Sequence, residues 1–426
     1  MTAESRRRDI AAALGLVAVV LALTMPAILS GALGQKARDH RFHHLPLVRE
    51  WAAMWPVVDL RDYNSATGPL YHWLLAGTAQ FTGTDGGPET SPALQITSSL
   101  FAAIAGLMVF CFARRVAPTG CAFLAGLAVV CSPYVLGNAI WMMTDNLSLA
   151  LVAATVGLAA FGTVAPSSRL MQGVSAAAAV ATRQVNIWLL APMTVAWWMS
   201  GRRTTWAAVV ASLLPIAVLL TFVVLWKGLL PPRFRTLHAS GINLAAIGFT
   251  LTLCAAYGAV LLVAVPEGVR AVVRRPRLLS ATAIGGAVLS ALGPSFALEA
   301  AGRNGGWVWQ SVARLPVIAD RSPLIVLGGA AGAVVLVALF AAAERAGQKF
   351  AAIVILASLA GFVAAHVANF QVFQRYYDPM VLLTLVWLVV LTNDRRRQSV
   401  AFGLAVAQQV LFAIAVLYLP MLAARD

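Results

Sequence analysis

Apolar runs of about 20 residues, each long enough as a helix to cross a hydrocarbon core of roughly 30 Å, recur along the whole chain. No other feature restricts the fold as much. Inside a bilayer each backbone N–H and C=O has to be paired within its own segment, so every such run reads as an α-helix. The runs fall at about 10–29, 93–113, 119–136, 144–164, 170–184, 186–200, 204–226, 243–265, 279–298, 322–342, 350–369, 379–393 and 399–421. They predict an all-α polytopic membrane protein of about thirteen spans, a single integral membrane domain over residues 1–426. Charged residues make up 11% of the chain, against roughly a quarter in soluble domains.

The net charge of +15 comes from short basic clusters between the apolar runs. That placement fits the positive-inside rule rather than nucleic-acid binding. Arg6–Arg8 precede a first run longer than the 7–15 residues of a cleaved signal, so it reads as an uncleaved anchor with its N-terminus in the cytoplasm. Arg114, Arg115, Arg202, Arg203, Arg270, Arg274, Arg275, Arg277 and Arg395–Arg397 then fall inside. Most acids and all six histidines fall outside, and so does the C-terminus. Titratable chemistry is therefore expected on the extracytoplasmic face. Cys111, Cys121, Cys131 and Cys254 lie in or beside apolar runs and read as small core- or lipid-facing residues.

Residues 31–92 form a long first outer loop. Its stretch from Gln35 to Trp73 holds three aspartates, four histidines and five basic residues directly after the first helix. Asp39 followed by His43 and His44 is a candidate general base beside imidazoles, or else a solvated acid balanced by Arg38 and Arg41. If the segment is helical, Asp39, Phe42 and His43 share a face. Asp59 and Asp62 are further loop acids. His40, His43, His44 and His72 are candidate metal ligands, although the spacing is not a strong metal pattern and no metal is required by it. The apolar, aromatic stretch Pro69–Phe81, which includes Tyr71, is too short to span and is expected at the interface.

Further outer-face candidates follow. Asp145 begins a span, either as a substrate-orienting acid or as part of a helix cap with Thr144. Arg183, Gln184 and Asn186 interrupt an apolar hairpin. An arginine there needs an anion, and its fork suits either a phosphate or a nearby acid. Arg375 and Tyr376 precede Pro379, a natural helix boundary, and Arg375 either binds phosphate or pairs with Asp378. Trp307 and Trp309 beside glycines suit a sugar face, or the aromatic belt of the interface.

Together these pieces resemble the GT-C superfamily of multi-span glycosyltransferases. The shared layout is an acid just after the first helix, here Asp39, a long first outer loop, and an S-P…T-D stretch, here Ser132-Pro133 to Thr144-Asp145. Within it the chain looks similar to the dolichyl-phosphate-glucose-dependent α-1,2-glucosyltransferase family. D-H-R-F-H (Asp39–His43) is similar to that family's D-E-x-F-H. A-T-G-P-L-Y (Ala66–Tyr71) is similar to its T-P-P-G-L-Y, and R-Q-V-N-I-W (Arg183–Trp188) to its R-Q-T-N-I-x-W. His40 and Val185 depart from the pattern. The resemblance implies Asp39 as catalytic base and a polyprenyl-phosphate sugar as donor. It also implies an envelope glycan, glycolipid or protein acceptor and a bacterial plasma (inner) membrane setting with an extracytoplasmic site. His43, His44, Asp62, Tyr71, His72, Asp145, Arg183, Gln184, Asn186, Arg375 and Tyr376 are the expected substrate-binding set. The alternative is a transporter or flippase of an anionic lipid or solute. That would need polar groups near mid-membrane in several spans, or broken helices in matching halves.

Overall fold

The computed structural model describes residues 3–31, 37–83, 90–203, 205–235, 241–295, 304–369 and 371–423. Its architecture is helical throughout. Helix α1 (Ala3–Leu29) leads through a π-helical turn (His40–His44) into α2 (Leu45–Met54) and α3 (Leu70–Thr82). Then come α4 (Pro92–Ala113), α5 (Thr119–Val130), α6 (Pro133–Ile140), α7 (Asp145–Phe161) and α8 (Pro166–Thr182). A 3-10 turn (Gln184–Leu189) enters α9 (Leu190–Met199), followed by α10 (Thr205–Trp226), α11 (Ala245–Leu261), α12 (Pro266–Val273) and α13 (Pro276–Ala291). The last group is α14 (Trp307–Val312), α15 (Pro323–Arg345), α16 (Lys349–Val367), α17 (Gln374–Val390), α18 (Arg395–Ala413) and α19 (Leu419–Ala423). Proline opens α4, α6, α8, α12, α13 and α15, where its missing N–H has no intrahelical acceptor to satisfy.

Among the described residues seven helices are long and apolar enough to cross a membrane. An eighth span results if α5 and α6, bent by 64° at Ser132-Pro133, count as one. The other expected spans are present as shorter helices: α7, α8 and α17 with 17 residues each, α13 with 16 and α9 with 10. On length alone these fall below the roughly 20 residues of a perpendicular crossing. The interfacial segment is present as α3, whose Tyr71, His72 and Leu75 are buried.

Helix α17 is the central post. Every residue from Tyr377 to Thr392 is buried, as expected of a helix that is apolar on all sides. Helix α10 is its opposite, with only 17% of its apolar stretch covered by the protein, so its side chains face outward. It meets α8 at Gly173, where an added Cβ would lie 2.4 Å from the Ala211 Cα. Only glycine allows that approach.

Pro379 does not mark the boundary expected of it. Helix α17 starts five residues earlier, at Gln374, and carries Pro379 inside. The early start is supported by a parallel pairing of β1 (Asn304–Gly305) with β2 (Val372–Phe373). The Gln374 side chain also accepts from the Val308 N–H at 3.2 Å.

Candidate active site

The polar ends of several helices converge at the start of α17. Arg375, in its first turn, donates from Nη2 to the Asp39 carboxylate at 2.9 Å and to the Tyr376 hydroxyl at 3.0 Å. Arg183, between α8 and the following 3-10 turn, pairs with Asp145 at the start of α7. The Tyr376 ring joins the two pairs. The Arg183 guanidinium carbon lies 4.4 Å from its centroid and that of Arg375 lies 5.0 Å away, within the range of cation–π attraction. Arg183, Asp145, Ser148, Asn186, His366, Arg375 and Tyr376 line one cleft. Arg375 Nε is buried and has no hydrogen-bond partner.

Asp39 owes its position to the π-turn. The Leu45 N–H bonds the His40 carbonyl, five residues back, which makes the turn wider than α-helical. Phe42 is thereby turned outward, 64% exposed, and does not share a wall with Asp39 as the α-helical reading had it. His43 packs edge-on against Phe234, with centroids 5.8 Å apart. Burial pushes the Asp39 carboxyl up. The charge and hydrogen bond of Arg375 pull it further the other way and leave it below the ordinary carboxylate value.

His44 and His72 do not face the cleft as expected of substrate or metal ligands. They are buried and bonded to each other, His44 Nδ1 to His72 Nε2 at 2.7 Å. His72 Nδ1 lies 2.7 Å from the Tyr63 hydroxyl, which donates to the Gly68 carbonyl at 2.9 Å. The terminal carbonyl sets every proton in this chain. Because it can only accept, Tyr63 oxygen accepts from His72 Nδ1–H, and His72 Nε2 accepts from His44 Nδ1–H. Burial holds both rings neutral, with the His44 pKa down to about 3 and that of His72 well below its usual value. Gly68 in turn donates its N–H to the Thr182 carbonyl at 2.9 Å, one residue before Arg183. A polar chain thus runs from the Asp39 turn to the Arg183 turn.

The remaining expected residues have varied places. Tyr71 is fully buried and donates to Ser98 Oγ at 3.0 Å, which makes it part of the α3–α4 packing. Asn186 lines the cleft but spends its amide on Ser148 Oγ and the Ala179 carbonyl, at 2.8 and 2.9 Å. Gln184 is buried at the edge of the same turn. Asp62 is exposed on the loop, and Asp59 accepts from the Arg61 N–H at 2.9 Å. Thr144 holds the N-cap position of α7 without a side-chain capping bond, and Asp145 is turned to Arg183. Asp378 does not pair with Arg375: it is buried and accepts from Ser132 Oγ at 2.7 Å and from the Tyr257 hydroxyl. Trp309 is no sugar platform, being buried, stacked on Phe249 and donating to the Val372 carbonyl at 2.8 Å. Sequence reasoning missed His366, whose only signal was a histidine at the end of an apolar run. Among the described residues no group of three or more His, Cys, Asp or Glu side chains is gathered to hold a metal.

No family profile and no curated protein matches this sequence. Among solved structures the chain is similar to ArnT from Cupriavidus metallidurans bound to undecaprenyl phosphate. The identity is 15% and the TM-score 0.44, covering 88% of this chain and 76% of that one. It is also similar to the archaeal oligosaccharyltransferase AglB from Archaeoglobus fulgidus in complex with an inhibitory peptide and a dolichol-phosphate. There the identity is 13% and the TM-score 0.46, covering 99% of this chain and 56% of that one. At such scores the likeness assigns no activity, and the side chains have to carry the functional reading.

Proposed function

We propose that this chain is an inverting glycosyltransferase of the GT-C type, taking a sugar from a polyprenyl-phosphate donor to an envelope glycan, glycolipid or protein at the extracytoplasmic face of a bacterial inner membrane. The observation that carries the reading is the cleft itself, where Arg183 and Arg375 flank Tyr376 and Asp39 lies 2.9 Å from Arg375. Two arginines at the surface of a bilayer match a lipid-linked phosphate, and planar forks hold phosphate better than a point charge does.

In the proposed reaction the Asp39 carboxylate takes the proton of an acceptor hydroxyl. The acceptor oxygen forms a bond to the anomeric carbon as the bond from that carbon to the phosphate oxygen breaks. The released electron pair stays on the lipid phosphate, where Arg183 and Arg375 stabilise the developing charge. Without donor, Arg375 holds Asp39 and Arg183 holds Asp145. An arriving phosphate competes for both arginines and frees Asp39 to act as a base. Single displacement from the opposite side inverts the anomeric centre.

The deciding experiment is mass spectrometry of envelope glycans and glycolipids from a deletion strain. One sugar is expected to be missing and to return on complementation. Unchanged glycans in the deletion strain would remove the transferase reading.

A further inference from the structure

At the opposite end of α8 from Arg183 lies a second arginine with different company. Arg169 is 4% exposed, and 14 residues of helix place it about 21 Å from the Arg183 end. Among the described residues no carboxylate pairs with it. Its Nη atoms reach only neutral acceptors, Ser200 Oγ at 3.0 Å and, at 3.4 Å each, Gln172 Oε1 and the Ala196 carbonyl. Its Nε is buried with no partner. Trp197, whose Nε1 is also buried and unpartnered, lines the same cavity between α8, α9 and α10.

The cavity holds about 200 Å³, well beyond the roughly 30 Å³ of one water. Its two unsatisfied groups are both donors, one of them cationic, and an uncompensated buried charge is costly. An anion answers both. The remaining lining is mixed, with Gln172, Thr194 and Ser212 beside the apolar Met193, Ala208, Val209 and Leu213. Val209 and Leu213 are 48% and 55% exposed on the outward face of α10, so the cavity opens where that helix faces lipid. Its occupant therefore needs an anionic head and a hydrocarbon body.

We propose that the Arg169–Trp197 cavity is a binding site for the phosphodiester headgroup of an anionic phospholipid. It is separate from the donor cleft and buttresses the α8–α10 packing at the end of α8 far from Arg183.

The test is native mass spectrometry of the full chain after reconstitution with equal phosphatidylglycerol and phosphatidylcholine. Wild type is expected to retain one phosphatidylglycerol. R169Q should lose that retention by at least about tenfold, because a charged hydrogen-bond donor is removed, and W197F by several-fold, because the indole N–H is lost while an aromatic ring remains. W197F keeps the question open to decision if R169Q does not fold. Equal retention by wild type and W197F, or no preference for phosphatidylglycerol over phosphatidylcholine, would overturn the proposal. A third arm adds inorganic phosphate to delipidated protein. If phosphate raises the melting temperature as much as phosphatidylglycerol does, the occupant is a free anion and the lipid assignment falls.

Discussion

Asp39 and Arg375 stand 336 residues apart in the chain and 2.9 Å apart in the fold. Asp39 opens the π-turn that leads into α2, and Arg375 lies in the first turn of the central helix α17. In the proposed reaction this pair would supply a proton acceptor and a phosphate-matching cation, each restraining the other until substrate arrives.

Asp39→Asn keeps the shape and removes the proton acceptor. Turnover is expected to fall by about 10²–10⁴-fold, with the melting temperature of the purified protein nearly unchanged. The exchanged pair Asp39→Arg with Arg375→Asp separates the roles. Charge complementarity survives in it, so recovered stability without recovered transfer assigns the pair to the reaction rather than to the fold. Recovered transfer would make the pair structural.

Arg183→Ala should weaken use of the lipid-phosphate donor by about 10–100-fold, the worth of a hydrogen bond to a charged group. The effect is expected chiefly in donor KM, and Lys should restore only part because it lacks the fork. Asp145→Asn in the same assay should leave donor use much closer to wild type, since the arginine remains. Near-normal donor kinetics in Arg183→Ala would reduce the Arg183–Asp145 pair to a structural bridge.

The buried imidazole chain makes stability depend on pH with a fixed sign. Burial lowers the His44 pKa to about 3, below the ordinary value near 6.5. The unfolded chain therefore binds more protons than the folded one between these values. His44 burial costs nothing above about pH 6.5, and its contribution to stability is lost as the pH falls from there towards 3. Melting temperatures measured at pH 7, 6 and 5 should decline, and less steeply in His44→Asn. Tyr63→Phe leaves the His72 N–H and the Gly68 carbonyl without their partner, at about 1–3 kcal/mol. A flat wild-type profile would mean the rings are not held neutral.

Sidedness can be read with reporter fusions. Fusions after Arg115, Arg203, Arg277 and Arg397 should report cytoplasm, and fusions after Asp62, Arg235 and Arg314 the outer side. A cytoplasmic signal at Asp62 would put the cleft in the wrong compartment for the proposed donor and acceptor.

If the arginines supply the positive charge at the leaving phosphate, stripping divalent ions with a chelator should leave transfer within a few-fold of untreated enzyme. A total loss restored by one added ion would add a metal to the site and demote one arginine.

The helical class and the positions of the long apolar helices were legible, because a bilayer leaves an apolar run few alternatives, whereas the short helices α2, α12 and α14 and the bend between α5 and α6 were not. Asp39, Asp145, Arg183, Arg375 and Tyr376 stood out as polar groups at or beyond the ends of apolar runs; the last four line one cleft, and Asp39 is tied to it through Arg375. Their pairing was not legible. Asp378 is nearer to Arg375 in sequence than Asp39 is, yet bends into the core to meet Ser132 and Tyr257. The histidines misled for a related reason. A cluster of imidazoles after a helix looks like a ligand set, and only the one-residue widening of the His40–His44 turn sends His44 inward to His72.

The Gly68–Thr182 contact bears on how this scaffold could be re-engineered. A Cβ at position 68 would sit 2.1 Å from the Ala181 carbonyl oxygen, so the outer loop and the end of α8 are clasped backbone to backbone, with no side chain to adapt. Segments 63–72 and 181–183 therefore behave as one cassette, though more than a hundred residues separate them. A chimaera that imports a relative's first loop while keeping the native α8 end would join two halves of different clasps. Grafts meant to change the acceptor should carry both segments or neither.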